Sequence, residues 1–240
     1  MNTSKPDEET PVIYHYRFDL HTEHVLDFEI ELHPQTLAFT RQAGGLDPIP
    51  IEEGLFPCVD CPIKDSGLRA CPVIENISPY LHSFRGMASY DKVRVTIESR
   101  DRFVSHKEAS LQQAISSMIG IIMVTSGCPD LDKLRPMVRL HLPMASVNET
   151  MYRAVSTYLF AQYMRSVRGL DPDWNLDGLI AIYKRIEQIN RDLSDWMRLD
   201  SKDDTSTNAI IILDIFAKML PRSVEQQFGQ FEELFAPYLD

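Results

Sequence analysis

The residues of this chain whose type and spacing point most directly to chemistry are its four cysteines. Cys58, Cys61 and Cys71 lie within sixteen residues, PCVDCPIKDSGLRACP, and Cys128 lies far along the chain in TSGCP. The two-residue spacing of Cys58 and Cys61 lets both sulfurs approach one tetrahedral ion. We therefore predict a four-cysteine metal site made of Cys58, Cys61, Cys71 and Cys128.

The spacing C-x2-C-x9-C with a remote fourth cysteine leaves the identity of the metal open. Structural zinc commonly takes four thiolates. Cys-Pro pairs are also common around iron–sulfur clusters, so a [4Fe-4S] cluster is the second possibility. Four small, buried and inert thiols are the third.

Three of the cysteines, Cys61, Cys71 and Cys128, directly precede a proline, and two of these pairs, Cys71-Pro72 and Cys128-Pro129, resemble the start of a helix. This arrangement predicts a helix N-cap followed by proline at the first helical position. A helix N-terminus stabilises negative charge, so we expect the pKa of both thiols to be lowered. Such thiolates would be ready for a metal.

The segment 44–72 has nine Gly or Pro residues in 29 positions and neither strand nor helix periodicity. Structureless loops much longer than about 12–15 residues are uncommon in compact domains unless they are functional or disordered. Ile49, Ile51, Leu55 and Phe56 argue against disorder. We expect a bound metal to fix the conformation of this segment.

A second group of residues with chemical potential comprises Arg135, Arg139, His141 and Arg153. If the arginines converge, they form an anion site for a carboxylate or phosphate, with His141 as a general acid or base. An enzyme acting on a small anionic substrate is therefore the alternative function. Ordinary ion pairs and a hydrogen-bonded core histidine explain the same residues without catalysis. Whether the protein is an enzyme stays open, since the dinucleotide, P-loop and nucleophile-elbow motifs do not occur.

Composition narrows the class of partner. The 240 residues carry a net charge of −11, which argues against nucleic acid and anionic membranes. There is no export signal and no apolar run of membrane-spanning length, so we expect a cytoplasmic protein whose cysteines stay reduced. The partners left open are an unknown protein or a small anionic ligand.

The elements that must position these residues follow from periodicity. Alternating segments predict an antiparallel sheet in the N-terminal part, and helical spacing takes over after it. We expect an α+β protein: a disordered tail over 1–10, then one domain over 11–240, with the sheet and cysteine-rich loop in 11–106 and a helical bundle on one face of the sheet in 107–240. The predicted strands are 13–19, 25–33, 36–40, 92–99 and 102–106. The predicted helices are 108–126, one beginning at the capping box 146–149, 174–199, 208–220 ended by Pro221, and 222–235.

Several motifs together resemble an uncharacterised bacterial protein family. They are PCVDCPI with ACPV, SLQQAISSMIGIIMVTSGCP, LRPMVRLHLPMAS, ETMYRAVSTYLFAQY and DTSTNAIIILD, a pattern CxxCP…CP…SGCP over most of the chain. The resemblance implies a bacterial, cytoplasmic protein whose four cysteines act together. It implies no substrate and no reaction.

Overall fold

The N-terminal part of the protein is a five-stranded antiparallel sheet. The structure, a computed structural model, describes residues 10–21, 25–41, 46, 48–100, 102–200, 204–226 and 228–239. The strands are β1 (Val12–Asp19), β2 (Val25–Leu32), β3 (Phe39–Arg41), β4 (Lys92–Ser99) and β5 (Arg102–Ser110), in the order β3-β2-β1-β4-β5. The predicted 102–106 strand pairs with β4 as expected, and Ile97 faces Val104.

The alternation in the sequence becomes the two faces of this sheet, because successive side chains of a strand point to opposite sides. Tyr14, Tyr16 and Phe18 are buried, whereas His15 and Arg17 between them are exposed. Phe28 on β2 packs edge-on against Phe18 at a ring-centroid distance of 5.6 Å. The buried side of β1 is therefore formed by aromatic rings.

Two helices pack in the core next to the buried face of the sheet. Helix α1 spans Pro72–His82 and helix α2 spans Leu111–Thr125. The long apolar run of α2 is buried on nearly all sides, including Met118, Ile119 and Ile122. This confirms the prediction of a core helix at this position.

The C-terminal half is helical. A 3-10 turn at Leu131–Leu134 leads into α3 (Arg135–Val138), α4 (Val147–Val167), α5 (Asp177–Asp200), α6 (Asp204–Glu225) and α7 (Glu232–Leu239). The capping box at the start of α4 is confirmed: Ser146 Oγ accepts from the Glu149 amide, and the Glu149 carboxylate accepts from the Ser146 amide. The predicted α+β class, with an N-terminal antiparallel sheet followed by helices, is confirmed.

The last two helices differ from the prediction. Proline removes a backbone donor and normally interrupts a helix, yet α6 continues past Pro221 to Glu225. Leu220 and Ser223 on either side of the proline are buried, and the Gln226 amide donates to the Arg222 carbonyl at 3.0 Å, so packing and hydrogen bonding keep this turn. The final helix begins at 232 rather than 222, after Phe228 adopts a left-handed backbone conformation with φ of 53°.

Among the described residues, no helix is both long and apolar enough to cross a membrane.

Candidate functional site

The four cysteines come together from three separate parts of the chain, and we call them the thiol cluster. Cys58, Cys71 and Cys128 are buried, Cys61 is partly buried, and all four are free thiols that pack against the hydrophobic core. The thiols are near enough to one another for electrostatic interaction in every pairing of the four. The structure therefore brings the four predicted residues into one neighbourhood.

Cys71 and Cys128 occupy different local structures. Cys71 is the N-cap of α1 and Pro72 is the first helical residue, as predicted. Cys128 is not an N-cap, because Asp130 takes that position for the 3-10 turn. The Cys128 carbonyl still accepts from the Asp132 amide at 2.9 Å, so the cysteine lies at the entrance of a tight turn.

The expected lowering of the two thiol pKa values is wrong. Burial raises the pKa of Cys71 and of Cys128, and this outweighs the backbone N–H groups that lower it, those of Val73 and Ile74 for Cys71 and those of Asp130 and Leu131 for Cys128. Burial also raises the pKa of Cys58 to about 12. Without a cation beside them, these three thiols are protonated at neutral pH and are poor nucleophiles.

One arginine that the sequence analysis did not single out ties the cluster together. Arg185 on α5 donates from Nε to the Asp130 carboxylate at 2.8 Å and from Nη2 to the Asp60 carbonyl at 2.6 Å. Asp60 lies between Cys58 and Cys61, and Asp130 lies two residues after Cys128. The guanidinium therefore links the Cys58–Cys61 turn to the Cys128 turn. Burial alone lowers the pKa of Arg185, but its hydrogen bond to Asp130 and the nearby charges outweigh burial and raise it.

Backbone hydrogen bonds bring Cys71 to the same place. The Cys71 amide donates to the Leu55 carbonyl at 2.9 Å, and the Gly54 amide donates to the Arg69 carbonyl at 2.8 Å. Arg69 also donates from Nη2 to the Ile51 carbonyl at 2.6 Å. The described part of the cysteine-rich segment is thus closed by its own hydrogen bonds at its base, while the Cys58–Cys61 turn lies within the closed loop.

A buried carboxylate oxygen without a partner lies beside the thiol cluster. Asp192 on α5 acts electrostatically on Cys58 and raises the pKa of that thiol. Its Oδ1 accepts from Gln188 Nε2 at 2.7 Å, but its Oδ2 is buried with no hydrogen-bond partner. Buried polar atoms normally have partners, so an orphaned acceptor at this position calls for a donor or a cation.

The side chains as they stand do not form a ready coordination shell. Within the part of the chain that the structure describes, no group of three or more His, Cys, Asp or Glu side chains could hold a metal ion. The cluster has the right residue types in one buried place, and metal binding there requires the thiols to turn toward a common centre.

The second predicted group, Arg135, Arg139, His141 and Arg153, is divided by the structure. Arg135 forms an ion pair with Asp132 and donates to the Thr36 carbonyl at 3.2 Å. Arg139 is exposed and donates to the Pro34 carbonyl at 3.3 Å. Arg153 donates from Nη2 to the Met137 carbonyl at 2.8 Å.

His141 lies between two cavities. The helix-side cavity, of about 510 Å³, is bounded by β5, α2, α6 and residues 137–150, and Arg153 also lines it. The strand-side cavity, of about 470 Å³, is lined by Tyr14, Arg102 and Arg139 as well. The predicted arginines therefore do not share one cavity, and Arg102 is a further basic residue that the sequence analysis missed.

His141 is a neutral imidazole in this setting. Its Nε2 shares a hydrogen bond of 2.6 Å with the Tyr16 hydroxyl. Burial lowers the pKa of His141 to about 3, and the charges of Arg153 and Arg102 lower it further in the same direction. A base with this pKa is far from the value near 7 that suits acid–base catalysis at neutral pH.

The fold and the site define an α+β protein, with an N-terminal sheet followed by helices, in which four free thiols cluster beside the long helix α5. A sequence model of the family described as "domain of unknown function (DUF6901)" matches residues 12–236, and the chain belongs to this family. No curated protein and no solved structure matches the chain.

Proposed function

We propose that the protein is a metal-binding protein whose thiol cluster holds one zinc ion or one [4Fe-4S] cluster. The observation that carries the proposal is the convergence of four free cysteines from three chain segments beside the orphaned Oδ2 of Asp192. Thiolate sulfurs are the ligands that structural zinc and iron–sulfur clusters share. Metal and sulfide analysis of the purified protein distinguishes zinc from an iron–sulfur cluster.

A bound metal cation would allow the buried thiols of the thiol cluster to lose their protons. Burial raises the pKa of Cys58, Cys71 and Cys128, so each thiol keeps its proton in the metal-free protein. A metal ion reverses this preference, because coordination deprotonates a thiol outright. Metal binding is then coupled to proton release and to closure of the Cys58–Cys61 turn.

The role that fits is a non-catalytic one, as a scaffold or interaction module, or as a redox sensor if the group is an iron–sulfur cluster. The cluster packs against the core and is joined to α5 through Arg185, so loading it stabilises the contact between the two halves of the domain. We also propose that the protein works in the reducing cytoplasm of a bacterium. In an oxidising compartment, four free thiols in one place would be prone to form disulfides.

The second candidate function is an enzyme that acts on a small anionic substrate, and the two cavities beside His141 favour it. His141 and Arg153 would bind such a substrate in the helix-side cavity, whereas Arg139 lines only the strand-side cavity and Arg135 is neutralised by Asp132. The low pKa of His141 favours a hydrogen-bonding role over proton transfer.

The experiment that tests the metal proposal compares Cys58→Ser with Val59→Ser in limited proteolysis. Val59 is 80% exposed and lies beside Cys58, so its substitution controls for a sequence change in the same turn. We expect Cys58→Ser to lose the metal and to be cleaved in the 56–66 turn, because metal-binding energy is also folding energy. Val59→Ser should resist cleavage as the native protein does. Equal resistance and equal metal content in both variants would contradict the proposal.

A further inference from the structure

We infer that the helix-side cavity is a binding site for a monocarboxylate with an apolar body, whose carboxylate is held by Arg153. This site is separate from the thiol cluster, and it specifies a ligand class rather than a reaction. Four observations lead to it: the volume of the cavity, the chemistry of its walls, the state of Arg153 and the state of His141.

The size and walls of the cavity are those of a small-molecule site. Its volume of about 510 Å³ falls within the roughly 300–1,000 Å³ typical of ligand pockets. Most of its walls are apolar, with Ile121 and Val124 from α2, Met137 from α3, Met144 from the segment between α3 and α4, and Phe216 from α6. Such walls suit a hydrocarbon chain or ring and not a highly charged ligand.

Arg153 is the cation of this cavity, and it lacks a matching anion. Its Nη2 donates to the Met137 carbonyl, but its Nε is buried with no hydrogen-bond partner. No carboxylate of the described residues forms an ion pair with it, and the nearby Glu149 carboxylate is engaged in the capping box with Ser146. A buried charge without a counter-charge is destabilising, and a carboxylate ligand in the cavity beside the guanidinium would supply that counter-charge.

The groups around Arg153 favour an anion over a cation or a neutral ligand. Arg102 lies close enough to Arg153 and His141 to act on both electrostatically, so positive charge accumulates here. Glu108 is the opposing charge, an exposed carboxylate on the β5 side of the same cavity. His141 is neutral, and the Tyr16 and Ser117 hydroxyls are hydrogen-bonded to each other at 3.2 Å, so these groups add polarity without adding charge.

A single negative charge fits better than a phosphate dianion. Among the described residues, Arg153 is the only arginine that lines this cavity, while Arg102 and Arg139 line the strand-side cavity. A phosphate would need more than one guanidinium to balance its charge, whereas a carboxylate matches one guanidinium fork.

The test is calorimetric titration of the purified full chain with octanoate, with octanol and inorganic phosphate as comparison probes. We expect octanoate to bind at one site and to bind more tightly than either comparison probe. Arg153→Met keeps the aliphatic stem and removes the donors, and it should weaken octanoate binding by about tenfold or more. Arg139→Met removes a guanidinium from the neighbouring cavity and should leave octanoate binding unchanged.

A cavity-filling variant tests the location independently of Arg153. Val124→Phe adds bulk to the wall of the helix-side cavity and leaves every arginine in place, so it should also abolish octanoate binding. The inference is overturned if octanoate does not bind, if phosphate binds more tightly, or if Arg153→Met and Arg139→Met weaken octanoate equally. If Arg153→Met does not fold, the Val124→Phe result decides, and unchanged octanoate binding in that variant overturns the site.

Discussion

Arg185→Met is the substitution that most sharply tests how the thiol cluster is assembled. Methionine keeps an apolar stem of similar reach and removes both hydrogen bonds of the guanidinium. The Nε bond to the Asp130 carboxylate and the Nη2 bond to the Asp60 carbonyl are two direct side-chain links between the cysteine-bearing turns and α5. Loss of these two hydrogen bonds should weaken the attachment of the two turns to α5, while the methionine stem keeps the apolar packing of the arginine stem.

The expected magnitude follows from burial. The side chains of Arg185 and Asp130 are only 25% and 29% exposed, so the pair is worth more than a surface ion pair. A hydrogen bond to a charged group contributes about 1.5–3 kcal/mol, and we expect Arg185→Met to reduce the unfolding free energy by about 2 kcal/mol. For a domain of this size that corresponds to a fall in Tm of roughly 4–8 °C.

The assay is thermal and urea unfolding of the variant beside a matched control, Arg198→Met. Arg198 is also on α5 and pairs with Asp195, but the two side chains are 57% and 62% exposed, so its loss should cost less than about 1 kcal/mol. A double-mutant cycle of Arg185→Met with Asp130→Asn should give a coupling energy of about 1–2 kcal/mol. If Arg185→Met is no more destabilising than Arg198→Met, the guanidinium does not hold the two turns together.

Three further predictions address the electrostatics of the two sites. Asp192→Asn should weaken metal binding roughly 10–100-fold, measured by competition with a chelator, whereas the exposed Asp195→Asn should not; equal affinities would remove Asp192 from the site. Burial holds the pKa of His141 near 3, below its unfolded value of about 6.5, so the unfolded chain takes up a proton first and the unfolding free energy falls as the pH drops below 6.5. His141→Gln should reduce the slope of unfolding free energy against pH by at most about 1.4 kcal/mol per pH unit. Substitution of the exposed His82 by Gln serves as control, and an unchanged slope in His141→Gln would contradict the low pKa of His141. In the absence of ligand, Arg153→Met should unfold within about 1 kcal/mol of the native protein, and a larger loss in urea unfolding would mean that the cation is compensated after all.

The elements of the fold could be predicted where a single period governs the residues. The alternation of β1 and β2 and the capping box of α4 depend on neighbours in sequence, and both appear as expected. Pro221 could not be interpreted in this way. Its effect on α6 depends on tertiary packing around Leu220 and Ser223, which no local rule contains.

The candidate sites show the same limit. The cysteine spacing pointed to the residues of the thiol cluster, but the direction of their pKa values depends on burial, which outweighs the local backbone donors of Cys71. Arg185 and Asp192 were missed because their importance arises only when α5 packs beside two distant turns. Their spacing of seven residues, which places both on one face of a helix, is the one signal in the sequence that could have pointed to them.

The measurement that tests the central proposal most directly is the metal and sulfide content of the full chain purified without oxygen, together with its absorption spectrum. We expect either one zinc per chain with a colourless protein, or about four irons and four sulfides per chain with visible absorption. In both cases Cys58→Ser and Cys128→Ser should lose the metal. A native protein that contains no metal, in which all four thiols react with a thiol reagent on unfolding and chelators leave the Tm unchanged, would contradict the account.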